Sequence, residues 1–423
     1  MKKIGIVLIC FLLSCVAFIQ PLKAETALTI DSKHGILIDL NDNRVLYEKN
    51  ADEKTYPASI TKIMSALVAL EQIKNINQKV VMSDQMFAGL LEADASQAGF
   101  KIGETLSLKD LLYGSLLASG GEATNALAIS AAGSIPAFVD LINQKAKQLG
   151  MSQTHFTNPI GLHDDQHYTT CNDLVKLLKA AIKNKDLYTA FCSKSYHTTP
   201  TSKNINGLTF KSTLARQIAS LNYRADYIKG GKTGFTPEAG MCLASISEKD
   251  GTKYLAITTE NGHDNLKPYN VIDAVHMYEY FFNHYERAVL VRKGEELTRV
   301  KVLWNFGTKE FVYNCEKDID ALLEKGTRKE DIKLEYIDNK EVKTPVKKGA
   351  LLGNVEIKAN DKLVKSVEIL ALDSVDKNPI LYYCDRIGDF FHEYRGVTLA
   401  ALTIMIASFI GVLWYKKNKK YLK

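Results

Sequence analysis

The chain changes character across Tyr56-Pro57-Ala58-Ser59-Ile60-Thr61-Lys62-Ile63-Met64. Before it, residues 27–50 read ALTIDSKHGILIDLNDNRVLYEKN, with apolar alternation on both sides of Asn41-Asp42-Asn43. That period of two with a polar turn predicts a β-hairpin. After it, Ile60, Ile63, Met64, Leu67 and Leu70 recur at the helical period. Helical patterns then dominate 107–131, 135–149 and 172–182. Strands return at 241–247 and 254–259, joined by Lys249-Asp250-Gly251, and a helix over 271–284 follows. Strand, helical block and strand in this order predict an α+β domain, a sheet with its helices gathered mainly to one side.

The same stretch carries chemistry. Pro57 marks a helix start, so Ser59 falls near the first turn, and Lys62, three residues on, shares its face. A serine hydroxyl is a weak nucleophile until a base takes its proton. Lysine can be that base when burial or nearby positive charge lowers its pKa. A second candidate is Lys232-Thr233-Gly234, within Gly230-Gly231-Lys232-Thr233-Gly234-Phe235-Thr236. A lysine and a hydroxyl on an edge strand suit a substrate carboxylate, and glycines let a peptide backbone come close. The spacing excludes a Walker A loop. The third is Ser119, in the small-residue turn Ala118-Ser119-Gly120-Gly121 between two apolar helical stretches.

Working outward, residues 1–24 combine Lys2 and Lys3, an apolar run and a small residue at Ala24. They predict a secretory signal peptide cut after Ala24. Residues 396–415, GVTLAALTIMIASFIGVLWY, hold no charge and are followed by Lys416, Lys417, Lys419, Lys420 and Lys423. About 20 residues at roughly 1.5 Å each match a hydrocarbon core of about 30 Å. The positive-inside rule puts the tail 416–423 in the cytoplasm and the body outside the cell. The expected localisation is therefore the cell membrane, single-pass. Short alternating segments over 288–375 (TRVKVLW, KEFVYNC, IKLEYID, GNVEIKA, KSVEILAL) predict a small β-sandwich. Residues 376–395 read as a juxtamembrane linker, which leaves 25–287 for the catalytic domain.

The net charge of +6 owes much to the two ends, and the body has no basic run interleaved with aromatics, so no nucleic-acid partner is expected. Of seven cysteines, Cys171, Cys192, Cys242, Cys315 and Cys384 lie in the body, scattered and without a Cys-x-x-Cys pair. That argues against a disulfide framework and a structural zinc site. His163 and His167 stand four apart beside Asp164 and Asp165, but the stretch reads as a loop, with Thr170 and Asp173 capping the next helix. No metal or cofactor is expected.

Taken in order, Ser59-x-x-Lys62, Ser119 and Lys232-Thr233-Gly234 resemble the motifs of the D-alanyl-D-alanine carboxypeptidases, the low-molecular-weight penicillin-binding proteins. The resemblance extends to GILIDLNDNRVLYEKN, YPASITKIM, FTNPIGLHDDQHYTT and KTGFTPEAGMCLA, and to Thr344-Pro345-Val346-Lys347-Lys348-Gly349 in the second domain. It implies a β-lactamase/transpeptidase-like catalytic domain followed by a small all-β domain. It further implies removal of the terminal D-alanine from peptidoglycan stem pentapeptides through an acyl-enzyme, with inhibition by penicillins. By the resemblance, Ser59 is the nucleophile, Lys62 its base, and Ser119 a link between the two lysines. Lys232, Thr233, Gly234 and Phe235 form the substrate site, with Lys232 and Thr233 on the terminal carboxylate. Backbone N–H groups of Ser59 and Phe235 form the oxyanion hole. One departure stands out, since the family usually has Asn where this chain has Gly121. It opens an alternative, a weakly active or non-catalytic β-lactam-binding wall protein. A β-lactamase is disfavoured, because no Glu-x-x-x-Asn loop lies between Ser119 and Lys232.

Overall fold

The computed structural model describes residues 28–262, 267–303, 309–337 and 341–418, so the expected signal peptide and the end of the basic tail lie outside the described residues. The chain forms two compact units, Met1–His284 and Tyr285–Lys423.

In the first unit, β1 (His34–Asp39) and β2 (Arg44–Lys49) form the expected hairpin, and a 3-10 turn at Ala58–Ile60 runs into α1 (Thr61–Gln72). Next come the small hairpin β3 (Lys79–Val81) and β4 (Thr105–Ser107), then α2 (Leu108–Leu117), α3 (Gly121–Ala132) and α4 (Ile135–Gln148). After α5 (Cys171–Ala181) and α6 (Lys185–Cys192), a second small hairpin, β5 (Ser195–His197) and β6 (Thr209–Lys211), precedes α7 (Thr213–Ser220). The unit closes with β7 (Ile228–Thr236), β8 (Gly240–Lys249), β9 (Thr252–Asn261) and α8 (Tyr269–His284).

Five strands make one antiparallel sheet in the order β2-β1-β9-β8-β7. The outermost strands come from opposite ends of the domain sequence, so β7 with Lys232 is an edge. Alternation decides which layer each strand residue meets. Ile36, Ile38, Cys242, Ala244, Ile246, Leu255 and Ile257 join a core shared with α1, α2, α3 and α5. The opposite face is covered by α8, where Tyr254 stacks on Tyr278 and Ser245 Oγ lies 2.9 Å from the Tyr278 hydroxyl. The helical block therefore does lie mainly on one face, with a single long helix on the other.

α1 is the hub of that block. Nine of its residues are buried, polar Thr61, Lys62 and Ser65 among them. As the small-residue turn predicts, the helical pattern over 107–131 breaks at Ser119. α2 starts on a capping box of Ser107 and Asp110 and stops at Leu117, and Ser119 takes a left-handed φ of 61° before α3 begins. That one residue turns the chain and lifts the Ser119 side chain out of the helix pattern.

Among the described residues the second unit is β-strand up to residue 370, apart from a 3-10 turn at Lys329–Asp331. It comprises β10 (Tyr285–Val291), β11 (Glu296–Leu303), β12 (Lys309–Asn314), β13 (Ile319–Glu324), β14 (Ile332–Ile337), β15 (Glu341–Lys343), β16 (Leu351–Ala359) and β17 (Lys362–Leu370). These form sheets β10-β13, β12-β11-β15 and β14-β16-β17 around one core that includes Val300, Phe311, Leu323, Val355, Ile357 and Ile369. Residues read as a linker form α9 (Pro379–Glu393), and α10 (Arg395–Asn418) contains the expected span. Among the described residues no single helix is long and apolar enough to cross a membrane.

Candidate active site

Ser59 sits on a strained turn clamped from two sides. Ala58 holds φ 44°, a left-handed conformation that a residue with a Cβ rarely keeps unless its surroundings enforce it. Two glycines do so. A Cβ on Gly161 would overlap the Ala58 carbonyl, and one on Gly234 would come within 3.0 Å of Ala58 Cβ and Ser59 N. The Lys232-Thr233-Gly234 strand thus abuts the serine's own backbone.

Lys62 follows one helical turn later and is 3 % exposed. Its Nζ lies 2.9 Å from Ser59 Oγ and donates to the Ile160 carbonyl at 2.6 Å. Burial lowers its pKa to about 7, a shift that the Glu122 carboxylate partly opposes. At neutral pH a large share of this amine is therefore unprotonated and able to accept the Ser59 proton.

The carbonyl that holds Lys62 is itself fixed. Asn158 Oδ1 accepts from the N–H groups of Ile160, Gly161 and Leu162, and Ser65 Oγ donates to Pro159 O at 2.6 Å. His167 braces the same loop. Its Nδ1 accepts from Thr157 N at 3.1 Å, and its Nε2 lies 2.8 Å from Thr61 Oγ1. Burial keeps this ring neutral, pushed down to about 3, so Nε2–H is the donor to Thr61. His163 points elsewhere, edge-on to Tyr56 and 3.7 Å from Asp165. Thr170 caps α5 through Asp173 N, and no metal-binding group of His, Cys, Asp or Glu occurs among the described residues.

Ser119 faces the other lysine. Lys232 is fully buried, and its Nζ donates to Ser119 Oγ at 2.9 Å and to Thr233 O at 2.7 Å. Burial first, then the charge of Lys62, lowers its pKa well below the ordinary lysine value. Among the described residues, Ser119 Oγ is bonded to Lys232 and not to Lys62. Thr233 Oγ1 donates to Thr213 Oγ1 at 2.7 Å, a contact that nothing in the sequence pattern announces. The structure therefore gathers Ser59, Lys62, Ser119, Lys232, Thr233, Gly234 and Phe235 around one end of β7.

Comparison with known proteins identifies the family. Residues 21–261 match the model of the D-alanyl-D-alanine carboxypeptidase family, and residues 285–377 match the C-terminal domain of penicillin-binding protein 5. The chain belongs to the D-alanyl-D-alanine carboxypeptidase family. It is 30% identical over 395 residues to the D-alanyl-D-alanine carboxypeptidase DacF of Bacillus subtilis, covering 92% of this chain and 97% of that protein. It is 27% identical over 397 residues to DacC of Escherichia coli, covering 91% and 94%. Penicillin-binding protein 5 of Haemophilus influenzae shares the fold, with a TM-score of 0.68 at 23% identity over 82% of this chain and 98% of that one. A Streptomyces DD-transpeptidase aligns with a TM-score of 0.55 at 30% identity, over 60% and 98%. Members of the family are serine-type peptidases that act on peptidoglycan peptides and bind β-lactams, and this chain is a D-alanyl-D-alanine carboxypeptidase of that kind.

Against the family pattern, Gly121 has a structural reading. Its N–H donates to Ser96 O at 2.7 Å, and a Cβ there would meet Leu90 Cδ2 at 2.9 Å and Ser96 O at 3.4 Å. Leu90, itself buried, fills the direction a side chain would take. Asn125, one turn on, donates to Met86 O at 3.1 Å and ties down a neighbouring turn. The residue that sequence reasoning left without a role is Glu122. Its Oε1 accepts from the N–H groups of Ala98, Gly99 and Phe100, pinning that loop against the Ser119 turn. Burial pushes its carboxyl up, against those bonds. The signal available in the sequence was an acid in the first turn of an otherwise apolar helix.

Proposed function

We propose that Ser59 is the nucleophile and Lys62 the general base of the carboxypeptidase reaction. Ser59 Oγ gives its proton to neutral Lys62 and bonds to the carbonyl carbon of the penultimate D-alanine. The negative charge that develops on the carbonyl oxygen is met by the N–H groups of Ser59 and Phe235. As the C–N bond breaks, the proton held by Lys62 passes to the leaving D-alanine, while Ser119, bonded to Lys232, holds that second lysine in the carboxylate site. Water then attacks the acyl-enzyme, its proton goes to Lys62, and Ser59 Oγ–H is restored. Lys232 and Thr233 bind the terminal carboxylate. The observation that carries this reading is the buried Lys62 amine, depressed to about 7 and 2.9 Å from Ser59 Oγ.

Penicillins acylate Ser59 and are trapped before the water step. The test pairs labelling by a fluorescent penicillin with D-alanine release from a D-Ala-D-Ala peptide. The wild type is expected to show both and Ser59→Ala neither; labelling that survives in Ser59→Ala would refute the assignment.

The proposed organisation is a cleaved signal peptide (1–24), a catalytic domain (25–287), a β-domain (288–375), a linker (376–395), a membrane span (396–415) and a cytoplasmic tail (416–423). The catalytic domain then faces the cell exterior, anchored at the membrane. Supporting the anchor, α10 is 24 residues long, and Ile404, Phe409 and Trp414 on it are each more than 60% exposed. Large apolar side chains left open to water along a helix are what a lipid-facing surface looks like in the absence of lipid.

A further inference from the structure

The Thr233 hydroxyl has a single proton, and in this structure it is given to Thr213 Oγ1. A substrate carboxylate accepts hydrogen bonds and donates none. For Thr233 to donate to it, that proton must leave Thr213. The vacated bond can then reverse, with Thr213 Oγ–H donating to Thr233 Oγ1. The result is a chain, Thr213 O–H to Thr233 O–H to carboxylate, in which each bond polarises the next.

Thr213 is well held for this. It opens α7, whose first turn is fixed by Ser212, which accepts from Ala215 N–H with its side chain and from Arg216 N–H with its carbonyl. Ser212 N–H in turn donates to Lys194 O at 2.9 Å. Leu214, the next residue, packs so closely on β7 that a Cβ at Gly231 would collide with its Cδ2. The threonine pair therefore has rigid backbone on both sides. Thr233 is 8 % exposed while Thr213 is half-buried, so Thr213 is the more open of the pair.

We infer that Thr213 is a positioning residue for the substrate's terminal carboxylate, acting through Thr233. This rests on the proposed role of Lys232 and Thr233 as the carboxylate clamp. It adds a determinant from α7, outside the three motifs.

The test compares a peptide ending in D-Ala-D-Ala with the same peptide ending in the C-terminal amide. Thr213→Val keeps the shape and removes the hydroxyl; Thr213→Ser restores it. One hydrogen bond's worth of binding corresponds to roughly a five- to tenfold change. Thr213→Val is expected to raise KM for the acid peptide by about that factor with kcat little changed. It is expected to leave kcat/KM for the amide peptide near the wild-type value, and Thr213→Ser to behave as wild type on both. A Thr213→Val loss of equal size on acid and amide would mark a structural effect and overturn the inference, as would no loss on either. Thr233→Val is the control for the underlying reading. If it too fails to discriminate acid from amide, the carboxylate clamp itself is wrong; if it discriminates and Thr213→Val does not, only the role of Thr213 falls.

Discussion

Acylation of Ser59 is expected to follow the titration of Lys62, and the burial of that amine sets the numbers. Its pKa falls from the ordinary 10.5 to about 7. About half of the amine is then neutral at pH 7, against roughly 3 parts in 10,000 for an ordinary lysine. Burial thus raises the fraction of active base by on the order of a thousandfold at neutral pH. The second-order rate of acylation by a reporter β-lactam, measured by stopped flow from pH 5 to 10, should rise about tenfold between pH 6 and 8 and then level off. Lys62→Arg keeps a cation in place but cannot give it up, so acylation should drop by about 10²- to 10⁴-fold at every pH. A rate that climbs tenfold per pH unit from 8 to 10, or stays flat from 5 to 8, would show that Lys62 does not supply the base.

Other consequences reach beyond turnover. Between pH 7 and 10.5 the unfolded chain binds the Lys62 proton and the folded one does not, so this group's share of stability rises with pH across that window. Below pH 7 the difference, 10.5 less about 7, amounts to on the order of 5 kcal/mol against the fold. Lys62→Met should therefore raise the melting temperature at pH 6 to 7 and lose that advantage towards pH 10; a lower melting temperature at pH 6 would refute it. His167 works in the opposite pH range, with a folded pKa near 3 against the ordinary 6.5. Its share of stability is complete above 6.5 and is lost as pH falls towards 3, so urea unfolding of His167→Asn at pH 7, 5 and 4 should show a flatter acid dependence than wild type. Gly161→Ala drives a methyl into the Ala58 carbonyl from a backbone with φ 81°, and should cost about 2 kcal/mol or more and abolish penicillin labelling. Ending the chain at residue 395 should release a labelled, active enzyme into the soluble fraction, whereas the full chain sediments with membranes.

Local signals carried far in this chain because the elements that matter are amphipathic and short-range. The β1–β2 turn at Asn41-Asp42-Asn43, the apolar stripe of α1 and the capping pair Thr170 and Asp173 are all written within a few residues of one another, and the structure has each. β10 and β13 escaped notice for the same reason in reverse. Tyr285–Val291 follows directly on α8, and Ile319–Glu324 reads IDALLE, which has no alternation. Only their pairing with each other, across some thirty residues, makes them strands. α7 was also missed, being eight residues with Leu214 alone buried, too little for a periodic signal.

At the candidate site the residues that the structure brings together were legible in the sequence, and the forces that tune them were not. Ser59 lies on the 3-10 turn that runs into α1 and Lys62 three residues on in α1, so their proximity follows from the local helical turn. The depressed pKa does not follow from it, because an exposed lysine at that spacing would remain charged. What lowers it is burial, and the loop of residues 158–162, about a hundred positions away, packs there with the Ile160 carbonyl on Lys62. That loop can sit so close only because Gly161 has no side chain to strike Ala58, and β7 can press on the other side only because of Gly234. The two glycines therefore help set the surroundings of the proposed base. Restoring volume at either one should let water in beside Lys62 and return its pKa towards 10.5 before it unfolds the domain. The acid limb of the acylation profile would then move to higher pH in a Gly234→Ala enzyme that still folds.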